Sequence, residues 1–244
     1  MTVRVQHMNL FQCADTALEI THTSAIFQTP LGSIRFEAIL DGVKTSVIQP
    51  TQVFRLNSGG LVICWYQPNF DLELLICRPV VSYLHEAQLV DYWAGIWRLR
   101  AKTPINSCDF IAVWEQDSTW TETNPESSQF VYAKTWEDEN TVVMIATDDR
   151  EGLAHRARFG DGIPFEWEPY FIGTPGNFDW FSLQTIHYEM MENGLPIPLP
   201  PLDKGQQCQV HFILAWSALE NSGLITSIGS DLKSSEILMG AACS

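Results

Sequence analysis

Leu61-Val62-Ile63-Cys64-Trp65-Tyr66, followed after Gln67-Pro68-Asn69 by Asp71-Leu72-Glu73-Leu74-Leu75-Ile76-Cys77, decides the fold class of this chain. Two runs of apolar, β-branched and aromatic residues are parted by turn chemistry, the pattern of paired strands. Both are too continuously apolar for a sheet with one wet face, so strands held between two layers are expected. Working outward, similar runs occur at Ile96–Ala101, Phe110–Trp114, Gln129–Ala133, Thr141–Thr147, Phe165–Ile172, Phe178–Tyr188 and Cys208–Trp216. Between the runs lie Asn57-Ser58-Gly59-Gly60, Thr103-Pro104, Asn124-Pro125, Gly160-Asp161-Gly162, Thr174-Pro175-Gly176-Asn177 and Asn193-Gly194, all turn-forming sets.

Helix signals are sparse. Leu84–Trp93 places Leu84, Gln88 and Tyr92 on one side and reads as a two-turn helix. Asp231–Ala242 reads as a second, with Asp231 as cap and Gly240 near its end. Leu195-Pro196-Ile197-Pro198-Leu199-Pro200-Pro201 reads as an extended connector, because proline donates no ladder hydrogen bond. The expected fold is an all-β sandwich of about eight main antiparallel strands with one or two short helices.

A chain of 244 residues accommodates one large β domain or two small ones. Composition stays even from about residue 25 to residue 220, with no internal boundary. Residues 1–24 read as an N-terminal arm, 25–226 as the β domain and 227–244 as a C-terminal tail, with arm character from residue 222. Thr29-Pro30-Leu31-Gly32 leading to Trp65 loosely echoes Thr174-Pro175-Gly176-Asn177 leading to Trp216, but the match needs gaps and uses common turn residues.

The 14 basic and 29 acidic side chains give −15 at pH 7, against a protein that coats nucleic acid or anionic lipid on its own. No apolar run reaches the roughly 18 residues of a membrane-spanning helix. The opening residues lack the apolar core of a signal peptide, and no Asn-x-Ser/Thr acceptor occurs. Cys13, Cys64, Cys77, Cys108, Cys208 and Cys243 form no CxxC pair and read as buried free thiols in a reducing compartment.

Catalytic motifs are scarce. Nucleophile elbows, HExxH helices and phosphate-binding GKS/GKT loops are missing. Ser230-Asp231-Leu232-Lys233 fits SxxK, a pattern short enough to recur by chance. His7, His22, His85, His155, His187 and His211 are isolated and read as structural. The enzymatic candidates are the carboxylate pairs Glu115/Asp117, Glu137/Glu139 and Glu166/Glu168, each able to share one face of a strand. Glycoside hydrolysis needs two carboxyls roughly 5–9.5 Å apart with divergent pKa values. The nine tryptophans would then serve as sugar-stacking platforms, in a hydrolase or in a glycan-binding sandwich.

Several stretches in order carry a family resemblance. Asn57-Ser58-Gly59-Gly60-Leu61-Val62-Ile63-Cys64-Trp65-Tyr66-Gln67 resembles strand segments of picorna-like virus coat proteins. Leu89-Val90-Asp91-Tyr92-Trp93-Ala94-Gly95-Ile96-Trp97-Arg98-Leu99-Arg100 resembles their passage from a short helix through Trp and Gly into a strand. Gln28–Gly42, and Gln206–Trp216 continuing through Asn221–Ile225, are similar to the first and last strands of the small coat protein of comovirus-type plant secoviruses. The turn at Gly173–Trp180 and the spacing Trp93-Ala94-Gly95 depart from the comovirus pattern.

The resemblance implies an eight-stranded jelly roll that builds an icosahedral capsid with other coat subunits in a pseudo-threefold arrangement, with no enzymatic activity, cofactor, metal or membrane. It also implies a place in the virion, after assembly in the host cytoplasm. Contacts to genomic RNA would use Arg98/Arg100/Lys102 or Arg150/Arg156/Arg158, residues that read equally as counterions to nearby acids. The alternatives are a non-catalytic glycan-binding sandwich and a glycoside hydrolase.

Overall fold

Along residues 32–40 burial alternates, with Ile34, Phe36 and Ala38 turned inward and Ser33 and Arg35 partly exposed, as extended backbone requires. The computed structural model of the chain describes residues 3–5, 18–20, 25–56, 60–79, 90–116, 121–128, 131–148, 194–231 and 237. Its strands are β1 (Val3–Val5), β2 (Leu18–Ile20), β3 (Ala25–Thr29), β4 (Gly32–Leu40), β5 (Val43–Lys44), β6 (Gln52–Arg55), β7 (Leu61–Tyr66) and β8 (Phe70–Cys77). The series continues with β9 (Asp91–Ala101), β10 (Cys108–Gln116), β11 (Thr121–Ser128), β12 (Val131–Glu137), β13 (Thr141–Asp148), β14 (Gly194–Leu199) and β15 (Gln207–Ala218), then helix α1 (Ser222–Asp231).

These strands form two antiparallel sheets packed as a sandwich. The larger has nine strands in the order β1-β6-β7-β8-β9-β15-β13-β12-β11. The smaller has six, in the order β14-β10-β4-β3-β2 with β5 beside β4. The all-β antiparallel sandwich is therefore present, with fifteen described strands where about eight main strands were expected. Several of the additional strands are too short or too polar to stand out as apolar runs.

Aromatic pairs cross the space between the sheets. Trp97 of β9 stacks on Phe110 of β10 at 5.6 Å, Phe212 of β15 on Phe36 of β4 at 5.5 Å, and Trp136 of β12 on Trp114 of β10 at 4.5 Å. Burying each large ring contributes roughly 1.5–3 kcal/mol, with about 0.5–1.5 kcal/mol more from each aromatic pair. Trp65, Trp93, Trp97, Trp114, Trp136 and Trp216 all belong to this core, so none of the six is a surface stacking platform.

Four local expectations are corrected. Tyr92 and Trp93, assigned to a helix, lie on β9, while residues 84–89 fall outside the described residues. Helix begins earlier than the expected Asp231 cap, at Ser222 as α1, and of residues 232–242 the one described, Ile237, is helical. The weak helix-forming sequence of α1 is held by packing, with Leu224, Ile225 and Ile228 set against Met144, Ala146 and Ile213 on the outer face of the nine-stranded sheet. The proline-rich connector is β14, an edge strand whose one neighbour among the described strands is β10. On its side away from β10 no described strand calls for ladder donors, which is where proline is tolerated. Asn124-Pro125, read as a turn, sits within edge strand β11 at a register shift between Thr123 and Glu126. The candidate strands Phe165–Ile172 and Phe178–Tyr188 lie outside the described residues.

Two short-range features behave as their residues dictate. Asp41 and Gly42 both have positive φ, 48° and 79°, and close the tight β4–β5 hairpin. Gly95 on β9 leaves the space into which the Phe36 ring projects, because a Cβ there would lie 2.5 Å from that ring. Gly95→Ala should therefore overpack the core by about 1–3 kcal/mol. Thermal melts followed by circular dichroism should show Tm lowered by roughly 2–12 °C for a chain of this size. An unchanged Tm would show that the two sheets do not meet at Phe36.

Candidate functional site

The two halves of the outer face of the nine-stranded sheet differ in chemistry. Near α1 it is apolar, with Leu75, Cys77, Ala94, Ile96, Met144, Ile213 and Ala215. Toward the opposite strand ends, the same face carries two polar rows that cross neighbouring strands in register. The first is Tyr66, Asp71, Arg100 and Gln207, paired in turn across β7, β8, β9 and β15. The second, two residues along each strand, is Cys64, Glu73, Arg98 and Gln209. Directly opposed side chains on one sheet face have Cβ atoms about 4.5–5.5 Å apart, so each row is a chain of neighbours.

The rows differ in access. All four members of the first row are partly exposed, while Glu73 and Arg98 in the second are 1% and 8% exposed. Arg98 Nη1 lies 3.5 Å from Glu73 Oε2, and Tyr66 Oη donates to Glu73 Oε1 at 3.3 Å. At the rim, Lys102 Nζ sits 2.5 Å from Asp71 Oδ1 and donates to the Gln67 carbonyl. Beyond Gln209 on β15, His211 Nδ1 lies 3.3 Å from Asp148 Oδ2, and the His211 carbonyl accepts from Thr147 Oγ1 at 2.6 Å. Gln207 Oε1 accepts no hydrogen bond within the structure described.

Burial dominates the electrostatics. It pushes the Glu73 carboxyl above the usual carboxylate range; Arg98 and the Tyr66 hydroxyl pull it back, Asp71 pushes it further up, and Arg100 pulls it down. Burial also pushes the Cys64 thiol up to about 12, which leaves it protonated and unreactive at neutral pH.

Only part of this arrangement coincides with the candidate residues read from sequence. Arg98, Arg100 and Lys102 lie in it, with Arg98 and Lys102 held as counterions to Glu73 and Asp71. Glu115 is half-exposed on the smaller sheet and paired with Arg35. Glu137 ends β12 and Glu139 follows in an exposed bend, away from the polar rows. Asp117, Glu166, Glu168, Arg150, Arg156, Arg158, Cys13, Cys243 and every histidine but His211 lie outside the described residues. Sequence reasoning passed over the Asp71/Glu73 pair. Its signal was present, two acids alternating inside the otherwise apolar strand Asp71–Cys77. Among the described residues no group of three or more His, Cys, Asp or Glu is placed to hold a metal ion, and no helix is long and apolar enough to cross a membrane.

No family model and no curated protein matches the chain. Among solved structures it is similar to one titled "Putative kojibiose phosphorylase from human microbiome", with TM-score 0.42 and 8% identity over 86% of this chain. The chain spans 26% of the length of that structure. Against the expectation of a capsid subunit without enzymatic activity, no family model supports it and the similar structure bears the name of an enzyme. At that score and identity the likeness carries no activity over to this chain.

The raised Glu73 carboxyl has a signed consequence for stability. Between the unfolded and folded pKa of Glu73 the native state binds the extra proton. The group's favourable contribution is thus complete below its unfolded value and declines as pH rises through the folded one. With pH rising from about 4, wild-type protein should lose denaturant stability relative to Glu73→Gln. Parallel pH profiles for the two proteins would show that burial does not govern this carboxyl.

Proposed function

We propose that this chain recognises a neutral carbohydrate on the polar half of the nine-stranded sheet. The observation that carries the reading is the partly exposed row Tyr66, Asp71, Arg100 and Gln207, in register across four strands and backed by the buried row behind it. Together they offer carboxylate acceptors, guanidinium and phenol donors, and amides that do both. A polyol, whose hydroxyls donate and accept, matches that mixture. A polyanion would call for donors alone, and net charge −15 opposes it. A hard cation would call for oxygens alone, yet Arg100 and Arg98 stand in the rows.

A second reading, glycoside hydrolysis, is favoured by one feature of the same site. Asp71 and Glu73 share one face of β8 two residues apart, about 6.5–7 Å between Cα atoms on an extended strand. Two carboxyls side by side are the groups such hydrolysis uses, and burial pushes Glu73 upward, toward the acid of the pair.

A glycan array followed by calorimetry on the intact protein tests the binding. Arg100→Ala removes a charged donor and should weaken the Kd of a glycan identified on the array by roughly 10- to 100-fold, with Tm held within a few degrees. Failure to bind any array glycan at millimolar concentration would sink the proposal. Incubating a bound oligosaccharide with wild type and Glu73→Gln separates the readings, since new reducing ends from wild type alone would establish hydrolysis.

A further inference from the structure

The chain crosses between the sheets twice at one corner of the sandwich. Residues 102–107 carry it from β9 in the larger sheet to β10 in the smaller, and residues 200–206 return it from β14 to β15. The two crossings run side by side. Ile105 and Leu202 exchange backbone hydrogen bonds at 2.8 Å, and Gly205 and Gln206 bond the backbone of Ala101. Facing sheets ordinarily stand about 10 Å apart, too far for side chains as short as cysteine to meet. Here the paired crossings draw the starts of β10 and β15 together. Cys108 is the first residue of β10 and Cys208 the second of β15, both turned into the inter-sheet core. The Cys208 thiol acts on the Cys108 thiol across the corner, and both are free.

We propose that Cys108 and Cys208 are a disulfide site that locks the two sheets at this corner. The oxidant is a low-molecular-weight disulfide such as glutathione disulfide. One cysteine thiolate attacks it, breaks its S–S bond and releases one small thiolate. The second cysteine thiolate then attacks the mixed disulfide, forms the Cys108–Cys208 bond and releases the other. Two electrons pass from the protein to the oxidant, and the two cysteine protons end on the two small thiols. In the native sandwich the core shields both sulfurs, so exchange runs while the corner is open during folding and closure then seals the product. The closed loop is on the order of a hundred residues, the size at which a cross-link removes most freedom from the unfolded chain. The disulfide forms whether or not the chain recognises a carbohydrate.

The test is to refold the full chain from denaturant in a glutathione redox buffer, alkylate the remaining thiols and map the peptides. The expected product has one disulfide joining Cys108 to Cys208 and four alkylated cysteines, and melts roughly 10 °C above chain refolded with dithiothreitol. Cys208→Ala refolded in the same buffer should show no disulfide and no rise in Tm. If that variant does not fold, the wild-type peptide map still decides. Six alkylated thiols, or a disulfide through any other pair, would overturn the proposal.

Discussion

The pairing of β9 with β15 is the constraint on which the rest of the structure depends. Ten residue pairs run from Arg100↔Gln207 to Asp91↔Trp216, joining strands that begin more than a hundred positions apart in the chain. On one side of this seam lie β6, β7 and β8, each paired with its sequence neighbour, and on the other lie β13, β12 and β11 in reverse order. Without the seam the larger sheet would be two separate meanders. Its inner face sets Trp93, Trp97, Phe212 and Leu214 into the core, while its outer face carries Ile96 and Ile213 beneath α1 and then Arg98, Arg100, Gln207 and Gln209. A slip of one residue would turn Arg98 inward and Phe212 outward, so the two faces fix the register together.

That arrangement has an energetic cost. Glu73 and Arg98 are buried as a pair, and replacing such a pair by apolar residues of similar volume is often neutral or stabilising. Ile96 and Ile213, a few positions along the same strands, show that this face of the sheet accepts apolar side chains without difficulty. The polar rows are therefore not dictated by the architecture. A ligand that uses them is the simplest physical reason for a sheet to hold charge in positions its neighbours fill with isoleucine.

Legibility in the sequence followed side-chain chemistry more closely than backbone geometry. The hairpin at Leu61–Cys77 was evident because Pro68 and Asn69 interrupt two apolar runs, and it formed β7 and β8 around a Gln67–Phe70 backbone hydrogen bond. The stretch Gly194–Leu199 misled because proline excludes only a strand bonded on both sides, and β14 has one neighbour among the described strands. Tyr92-Trp93 misled because its helical spacing competes with a tertiary demand, the Gly95 opening that receives Phe36. The site was harder to read. Asp71, Glu73, Arg98 and Gln209 are ordinary residues at ordinary spacings, and only strand register brings them together. Register between β9 and β15 is a long-range property with no local sequence signal.

The sandwich corner and the polar rows are two faces of one strand end. Cys208 points into the core between Gln207 and Gln209, which point outward into the first and second rows. The Ile105–Leu202 bridge and the Ala101 backbone bonds hold the entry of β15 against the exit of β9. The positions of Arg100 and Gln207 relative to Asp71 are thereby set by how firmly that corner is closed. Strand ends fray most readily where backbone bonds are few, yet here the chain doubles its crossings and pairs them. The proposed recognition surface is assembled from four separate strands and needs their ends fixed relative to one another, a constraint the corner supplies from inside the fold.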